Sequence, residues 1–163
     1  MKKEIFQNIC SQVFSSLQDN EQLTIYLEGE NSQYFRFNDS KLRQSGSIDD
    51  YAVTISLFSG KKSLQSATTV SSDIKSSVGN LKNEIQALRN PLSLIPENEF
   101  TSFPDNFDSI EIIKSGKLPA RSEILEALME IITKDYLTGV WTSGKIFRAC
   151  STSEGTNHWF EKD

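Results

Sequence analysis

Tyr34-Phe-Arg-Phe-Asn-Asp-Ser-Lys-Leu-Arg-Gln-Ser-Gly-Ser-Ile-Asp-Asp-Tyr-Ala-Val-Thr-Ile-Ser-Leu-Phe58, then Ser59-Gly-Lys-Lys62, then Ser63-Leu-Gln-Ser-Ala-Thr-Thr69, is the stretch that decides the fold. Phe35 and Phe37 alternate with Tyr34, Arg36 and Asn38, a period of two that belongs to a strand. Asn38-Asp39-Ser40 reads as a turn, because short side-chain oxygens cap free backbone amides. Lys41 to Ser45 reads as a short polar strand, and Gly46 as the next bend. Tyr51, Val53, Ile55 and Leu57 then alternate with Ala52, Thr54, Ser56 and Phe58 in the most β-prone segment of the chain. Both faces of that segment carry apolar residues, so a central place in a sheet is expected. Ser59-Gly60-Lys61-Lys62 is a tight hairpin, returning through a small, polar strand at 63–69.

Outward from this meander, the N-terminal side carries a helix over 4–18, with Ile5, Phe6, Ile9, Val13 and Leu17 at helical spacing. Leu23, Ile25 and Leu27 form a half-buried strand, and Glu28 to Ser32 reads as a turn cluster. On the C-terminal side, Ser71-Ser72-Asp73 starts a second helix. Ile74, Val78, Leu81, Ile85 and Leu88 line its buried face, and Asn90-Pro91 ends it. The irregular segment to Ser109 holds Leu92, Leu94, Ile95, Phe100, Phe103 and Phe107 and is expected to pack over the core. Ile110 to Ile113 suggests a short strand. A third helix opens with Pro119 in its first turn and buries Ile124, Leu125, Leu128, Ile131 and Ile132. Strands follow at 140–142 and 145–150 with a bend at Gly144, and another begins at His158-Trp159-Phe160, which suggests either an edge strand or a chain cut short there. The order predicts a single α+β domain over 1–163, a largely antiparallel sheet with helices packed on one face in two layers.

Bulk composition narrows the function by exclusion. A chain of 163 residues with 37% apolar residues and ten Phe is large enough to bury one core. A net charge of -5 with scattered Lys and Arg argues against direct nucleic-acid binding. No apolar run approaches the ~20 residues that span a bilayer, and the N-terminus has no signal-peptide core. Cys10 and Cys150 read as two buried thiols in a reducing compartment, so a cytoplasmic location is expected.

The residues of common catalytic constellations are missing. The single histidine, His158, has no metal-ligand partner at helical spacing and reads as a half-buried strand residue. No Gly-x-Ser-x-Gly elbow and no complete phosphate loop is present. Asp49-Asp50 and the pair Glu97 and Glu99 are the candidate carboxylate pairs. Both fall in predicted loops, where solvated acids are the expected reading. Trp141 and Trp159 read as core residues more readily than as a recognition face.

Phe35-Arg36-Phe37-Asn38 with Ser40, then Arg43-Gln44 and Gly46, then Val53-Thr54-Ile55 and the Gly60 hairpin, resemble the amino-terminal domain of the TldD/PmbA family. These proteins are called modulators of DNA gyrase or, in the TldD branch, zinc-dependent peptidases. Lys145-Ile-Phe-Arg-Ala-Cys-Ser-Thr-Ser-Glu-Gly155 is a second, weaker match. The resemblance implies an excised amino-terminal domain or a truncated relative. The family's His-Glu-x-x-x-His helix and further cysteine ligand lie downstream of the matched region, so no residue here inherits a metal ligand. No cofactor is expected in this chain, zinc belonging to the TldD branch.

The resemblance further implies paired subunits that enclose a cavity and cut unfolded peptides, with this domain walling the cavity and contacting a partner, itself or another family member. An exposed sheet edge can accept an extended peptide as an added strand. The polar surface expected to meet peptide or partner carries Arg36, Asn38, Arg43 and Gln44. Two other readings stand beside this one. One is a stand-alone protein-interaction module that binds a partner through its sheet. The other is a small-molecule-binding enzyme with a pocket at the 97–108 loop.

Overall fold

The computed structural model describes residues 1–104 and 108–163. Among these residues the chain forms α1 (Lys3–Phe14), β1 (Glu21–Asn38), β2 (Lys41–Ser59), β3 (Lys62–Thr69), α2 (Ile74–Leu94), β4 (Ile110–Lys114), α3 (Arg121–Lys134), β5 (Gly139–Thr152) and β6 (Asn157–Lys162). The strands make one sheet in the order β3-β2-β1-β5-β6-β4, antiparallel throughout except for the parallel β4–β6 pair. The expected α+β class with a largely antiparallel sheet is the class observed.

Three expected interruptions are absent, and each contains a glycine. The turn at Glu28 to Ser32 is continuous strand within β1. Its Gly29 lies opposite Tyr51 of β2 and Phe147 of β5, and a Cβ there would sit 2.6 Å from Tyr51 Cδ1. The bend at Gly46 is likewise continuous β2; a Cβ would approach the Tyr34 ring to 2.9 Å. Gly144 is mid-strand in β5, where a Cβ would lie 2.2 Å from the Asn31 carbonyl oxygen. These glycines serve close approach between neighbouring strands, a role glycine fills inside sheets as well as in turns. The two hairpins did form as expected. Asp39 and Ser40 both have positive φ, 51° and 53°, which gives a two-residue turn matched to strand twist, and Gly60 supplies φ +57° at the second.

Side chains with odd numbers on β1 face the helices. Leu23, Ile25 and Leu27 join Phe6, Ile9 and Val13 of α1 and Val78, Leu81 and Ile85 of α2 in the main core. Farther along the same strand face, Phe35 and Phe37 form a second cluster with Ile124 of α3, and Leu125, Leu128, Ile132, Leu137 and Trp141 pack against it. Trp159 lies in the first cluster against Phe6 and Phe147, at ring-centroid distances of 6.2 and 5.9 Å. Both tryptophans therefore have the core role expected of them. Ile131 is exposed, so the buried stripe of α3 is narrower than its sequence suggests.

Helix boundaries differ from expectation at three points. α1 ends at Phe14, and Leu17 packs on the core from the turn that follows. α2 runs through Pro91 to Leu94, because buried Leu92 holds the last turn down and the Ile95 N–H donates to the Pro91 carbonyl at 3.2 Å. Pro119 precedes α3 and lies outside its first turn. The segment after α2 packs only in part. Phe103 is buried edge-on against Phe58 at 5.2 Å, whereas Leu94 and Phe100 are 84% and 86% exposed. Phe107 lies outside the described residues.

At the start of α2 the Asp73 carboxylate accepts the Ser76 backbone N–H at 3.2 Å, the cap expected from Ser71-Ser72-Asp73. Asp73→Ala is expected to cost about 1 kcal/mol, read as a lower chemical-denaturation midpoint at unchanged slope.

Candidate partner-contacting surface

The far end of the sheet is an arm built from the last half of β1 and the first halves of β2 and β5. Its tip is braced by the chain that leads from α3 into β5. The Ser40 N–H donates to the Leu137 carbonyl at 2.9 Å, and the Leu137 N–H returns to Ser40 Oγ at 3.0 Å. The Asp39 N–H donates to Thr138 Oγ1 at 3.2 Å, and the Tyr136 hydroxyl donates to the Asp39 carboxylate. These bonds hold two non-glycine residues in the left-handed region and fix where the tip points.

The structure brings the four expected contact residues to this tip. Arg36 and Gln44 are cross-strand partners, and Asn38 pairs with Lys41. The register shifts between Arg36 and Phe37, so Arg43 is a bulged extra residue. Its Nε donates to the Asn38 carbonyl at 3.3 Å and its guanidinium lies 3.9 Å from Asp39. Arg43 therefore braces the hairpin as well as facing solvent. Arg36, Asn38 and Gln44 share the face away from the helices. Lys41 joins them as the partner of Asn38 across the turn, and without the bulge Arg43 would have taken the place of Gln44 opposite Arg36. All five side chains are exposed.

The edge of β2 is open along the arm. β3 pairs with β2 only from Ala52 to Ser59, and the Val70 N–H adds a bond to the Tyr51 carbonyl. Among the described residues no strand pairs with the outer side of β2 from Lys41 to Asp50. The edge is charged at both ends, with Lys41 and Arg43 at the tip and Asp49 and Asp50 at the base.

Asp49 and Asp50 were one candidate carboxylate pair. They are consecutive residues of a strand, so they point to opposite faces and cannot share a substrate. Asp49 accepts from Asn31 at 3.1 Å. Hydrogen bonds from Tyr51 and then Asn31 hold its carboxyl below the usual range. The Tyr51 phenol is pushed up to about 12, by burial first and then by Asp49. Glu97 and Glu99 are exposed in the segment after α2, and Asp105, Asn106 and Phe107 of that loop lie outside the described residues.

A second open surface lies nearer the main core, on the face away from the helices. Tyr26, Cys150, His158 and Ile110 line up across four strands by register, beside Ile112 and Phe160. They border a shallow cavity of about 250 Å³. His158 is half-buried here, as expected. Burial raises the Cys150 thiol and pushes Cys10 up to about 12, so neither thiol is primed as a nucleophile. Among the described residues no group of three His, Cys, Asp or Glu side chains is placed to hold a metal. The zinc that the resemblance attaches to one branch of its family thus has no fitting ligand set among them.

No helix of the described residues is long and apolar enough to cross a membrane. No family model matches the chain, and no curated protein matches it in sequence. Solved structures do match in fold. A protein described as a modulator of a DNA gyrase from Thermotoga maritima superposes with a TM-score of 0.65 at 14% identity, over 97% of this chain and 37% of its own. TldE from Thermococcus kodakarensis gives 0.66 at 13%, over 97% and 37%. A protein described as a modulator of DNA gyrase from Bacteroides thetaiotaomicron gives 0.57 at 16%, over 98% and 38%. The chain therefore has a fold found within these proteins, and it spans little more than a third of their length.

Proposed function

We propose that this chain, which shares its fold with part of the gyrase-modulator and TldE proteins, is a non-catalytic amino-terminal domain of a TldD/PmbA-type peptidase system in the cytoplasm. Its parent acts in proteolysis of unfolded peptides. The domain walls the peptide cavity and contacts the neighbouring subunit. The observation that carries this reading is the fold likeness over nearly the whole chain. Two features of the arm support it: a free backbone edge on β2, and Arg36, Asn38, Gln44 and Lys41 arrayed beside that edge. Extended polypeptide adds to such an edge through main-chain hydrogen bonds that need no particular side chains. The two free cysteines fit a reducing compartment.

The test is fluorescence anisotropy with a labelled, permanently unfolded peptide. The chain should bind the peptide and leave it uncut with zinc added. Arg36→Glu combined with Gln44→Glu should weaken binding of an acidic peptide roughly tenfold through the reversed charge. Cleavage by the chain alone would overturn the non-catalytic assignment. Absence of binding, or equal binding by the double variant, would overturn the peptide-facing surface.

A further inference from the structure

The open face nearer the main core joins two metal-binding side chains across a pair of strands. Cys150 of β5 and His158 of β6 are direct antiparallel partners, and Tyr26 of β1 is the partner of Cys150 on its other side. All three border the same hollow on the face away from the helices. Directly opposed residues of an antiparallel pair hold their Cβ atoms about 4.5–5.5 Å apart, which lets a sulfur and an imidazole nitrogen converge on one ion. Among the described residues no hydrogen bond ties up the Cys150 thiol or the His158 ring. The Tyr26 hydroxyl is engaged, donating to Glu28 at 3.2 Å, so its ring serves as a wall. The other cysteine, Cys10, is 1% exposed and lies in the main core.

We propose that Cys150 and His158 form a two-ligand site for a soft monovalent metal ion, Cu(I). Thiolate and imidazole are ligands that copper accepts, and thiolate selects its reduced form. Binding forms one S–Cu and one N–Cu bond. The thiol proton leaves to solvent, and the metal keeps its oxidation state. The charge balance suits the place. Burial disfavours the bare Cys150 thiolate, but a thiolate joined to a monovalent cation is neutral and meets no such penalty in an apolar hollow. A divalent ion would leave an uncompensated charge there. Zinc also takes four ligands in its structural sites, and the Ile110, Ile112 and Phe160 side chains that floor the hollow supply none. Glu28, the acid beside the rim, already accepts from Tyr26 and from Arg148, the latter at 3.1 Å. A two-coordinate Cu(I) ion needs no third protein ligand. This site lies apart from the arm and does not depend on the peptide-system reading.

The test is anaerobic titration of the full chain with Cu(I), supplied as its acetonitrile complex and competed against a chromophoric Cu(I) chelator. The native chain should take one ion per chain, with a thiolate-to-copper absorption band in the ultraviolet. Cys150→Ser should abolish the band. His158→Ala should weaken affinity by about tenfold or more, since even the groups that only orient a metal's ligands are worth that much. Cys10→Ser should bind like the native chain, because the core thiol takes no part. Cys150 and His158 are both partly exposed, so circular dichroism should report unchanged folding in their variants. X-ray absorption on the loaded native chain supplies a readout that needs no variant: one sulfur and one nitrogen neighbour are expected at the copper. No binding by the native chain, a band that survives Cys150→Ser, equal affinity in His158→Ala, or a copper with sulfur but no nitrogen beside it would each overturn the site. The peptide anisotropy measurement stands separately, and its outcome leaves this one untouched.

Discussion

Gly144→Val should remove a large fraction of the stability of the fold. The atoms a side chain would strike are the Asn31 carbonyl oxygen at 2.2 Å and the Ser32 Cα at 2.3 Å. Both belong to the backbone of β1, the strand through which the two sides of the sheet are joined. A clash with the end of a flexible side chain relaxes by rotation. This one can relax only if β5 moves off β1 along a ladder that runs from Thr24 to Phe37. Overpacking of a tight site costs about 1–3 kcal/mol where neighbours can adjust, so a backbone clash in mid-ladder is expected at about 3 kcal/mol or more. Against a typical total of about 5–15 kcal/mol, that is a large fraction. Urea titration followed by tryptophan fluorescence is the measurement. Gly139→Ala is the control, since a Cβ at that end of the same strand meets nothing within 4 Å. It should fall within about 0.5 kcal/mol of the native chain. Equal behaviour of the two variants would contradict the close approach at Gly144.

The second large effect is expected at the clamp between Glu21 and Arg89. The Arg89 Nε and one terminal nitrogen donate to the two Glu21 carboxylate oxygens at 2.8 Å each, and that terminal nitrogen also donates to the Ser16 carbonyl at 3.0 Å. One guanidinium thus ties α2 to the turn after α1 and to the first residue of β1. The Glu21 and Arg89 side chains are 8% and 19% exposed. Arg89→Met strands a mostly buried carboxylate. A fully buried pair broken this way costs about 3–5 kcal/mol, and residual solvent screening brings the expectation here to about 2 kcal/mol.

The pH dependence has a definite sign. The Arg89 hydrogen bonds hold the Glu21 carboxyl below its ordinary value. Its contribution is therefore complete above the usual carboxylate range and is lost as pH falls through the lowered folded-state value. Denaturant midpoints from neutral pH into acid should fall less steeply for Arg89→Met than for the native chain. Parallel curves would show that the clamp contributes nothing to acid sensitivity.

Part of the candidate surface was legible in the sequence. Alternation alone puts Arg36 and Asn38 on one face, and the two-residue turn at Asp39-Ser40 sets Lys41 opposite Asn38. The place of Gln44 opposite Arg36 was not legible. A bulge at Arg43 moves Gln44 to that face, and nothing in the identity of Arg43 announces the shift. The split of Asp49 from Asp50 required knowing that the strand continues past Gly46. The buried clamp of Glu21 with Arg89 joins residues 68 positions apart, which no local pattern connects.

What the sequence determined by itself is what bonding along the chain controls. The apolar stripes of the three helices, the period of two in the strands, the Asp73 cap and both hairpin turns follow from neighbours a few residues apart. What only the tertiary structure decided is what a residue faces across space. Gly29, Gly46 and Gly144 each carry the local signature of a bend and each sits inside a strand, because Tyr51, Tyr34 and the backbone at Asn31 and Ser32 occupy the place of a side chain. Pro91 carries the signature of a helix end and lies within α2, because burial of Leu92 outweighs one lost backbone donor. A glycine or proline states what the backbone is permitted to do; the strand or core packed against it selects which permission is used.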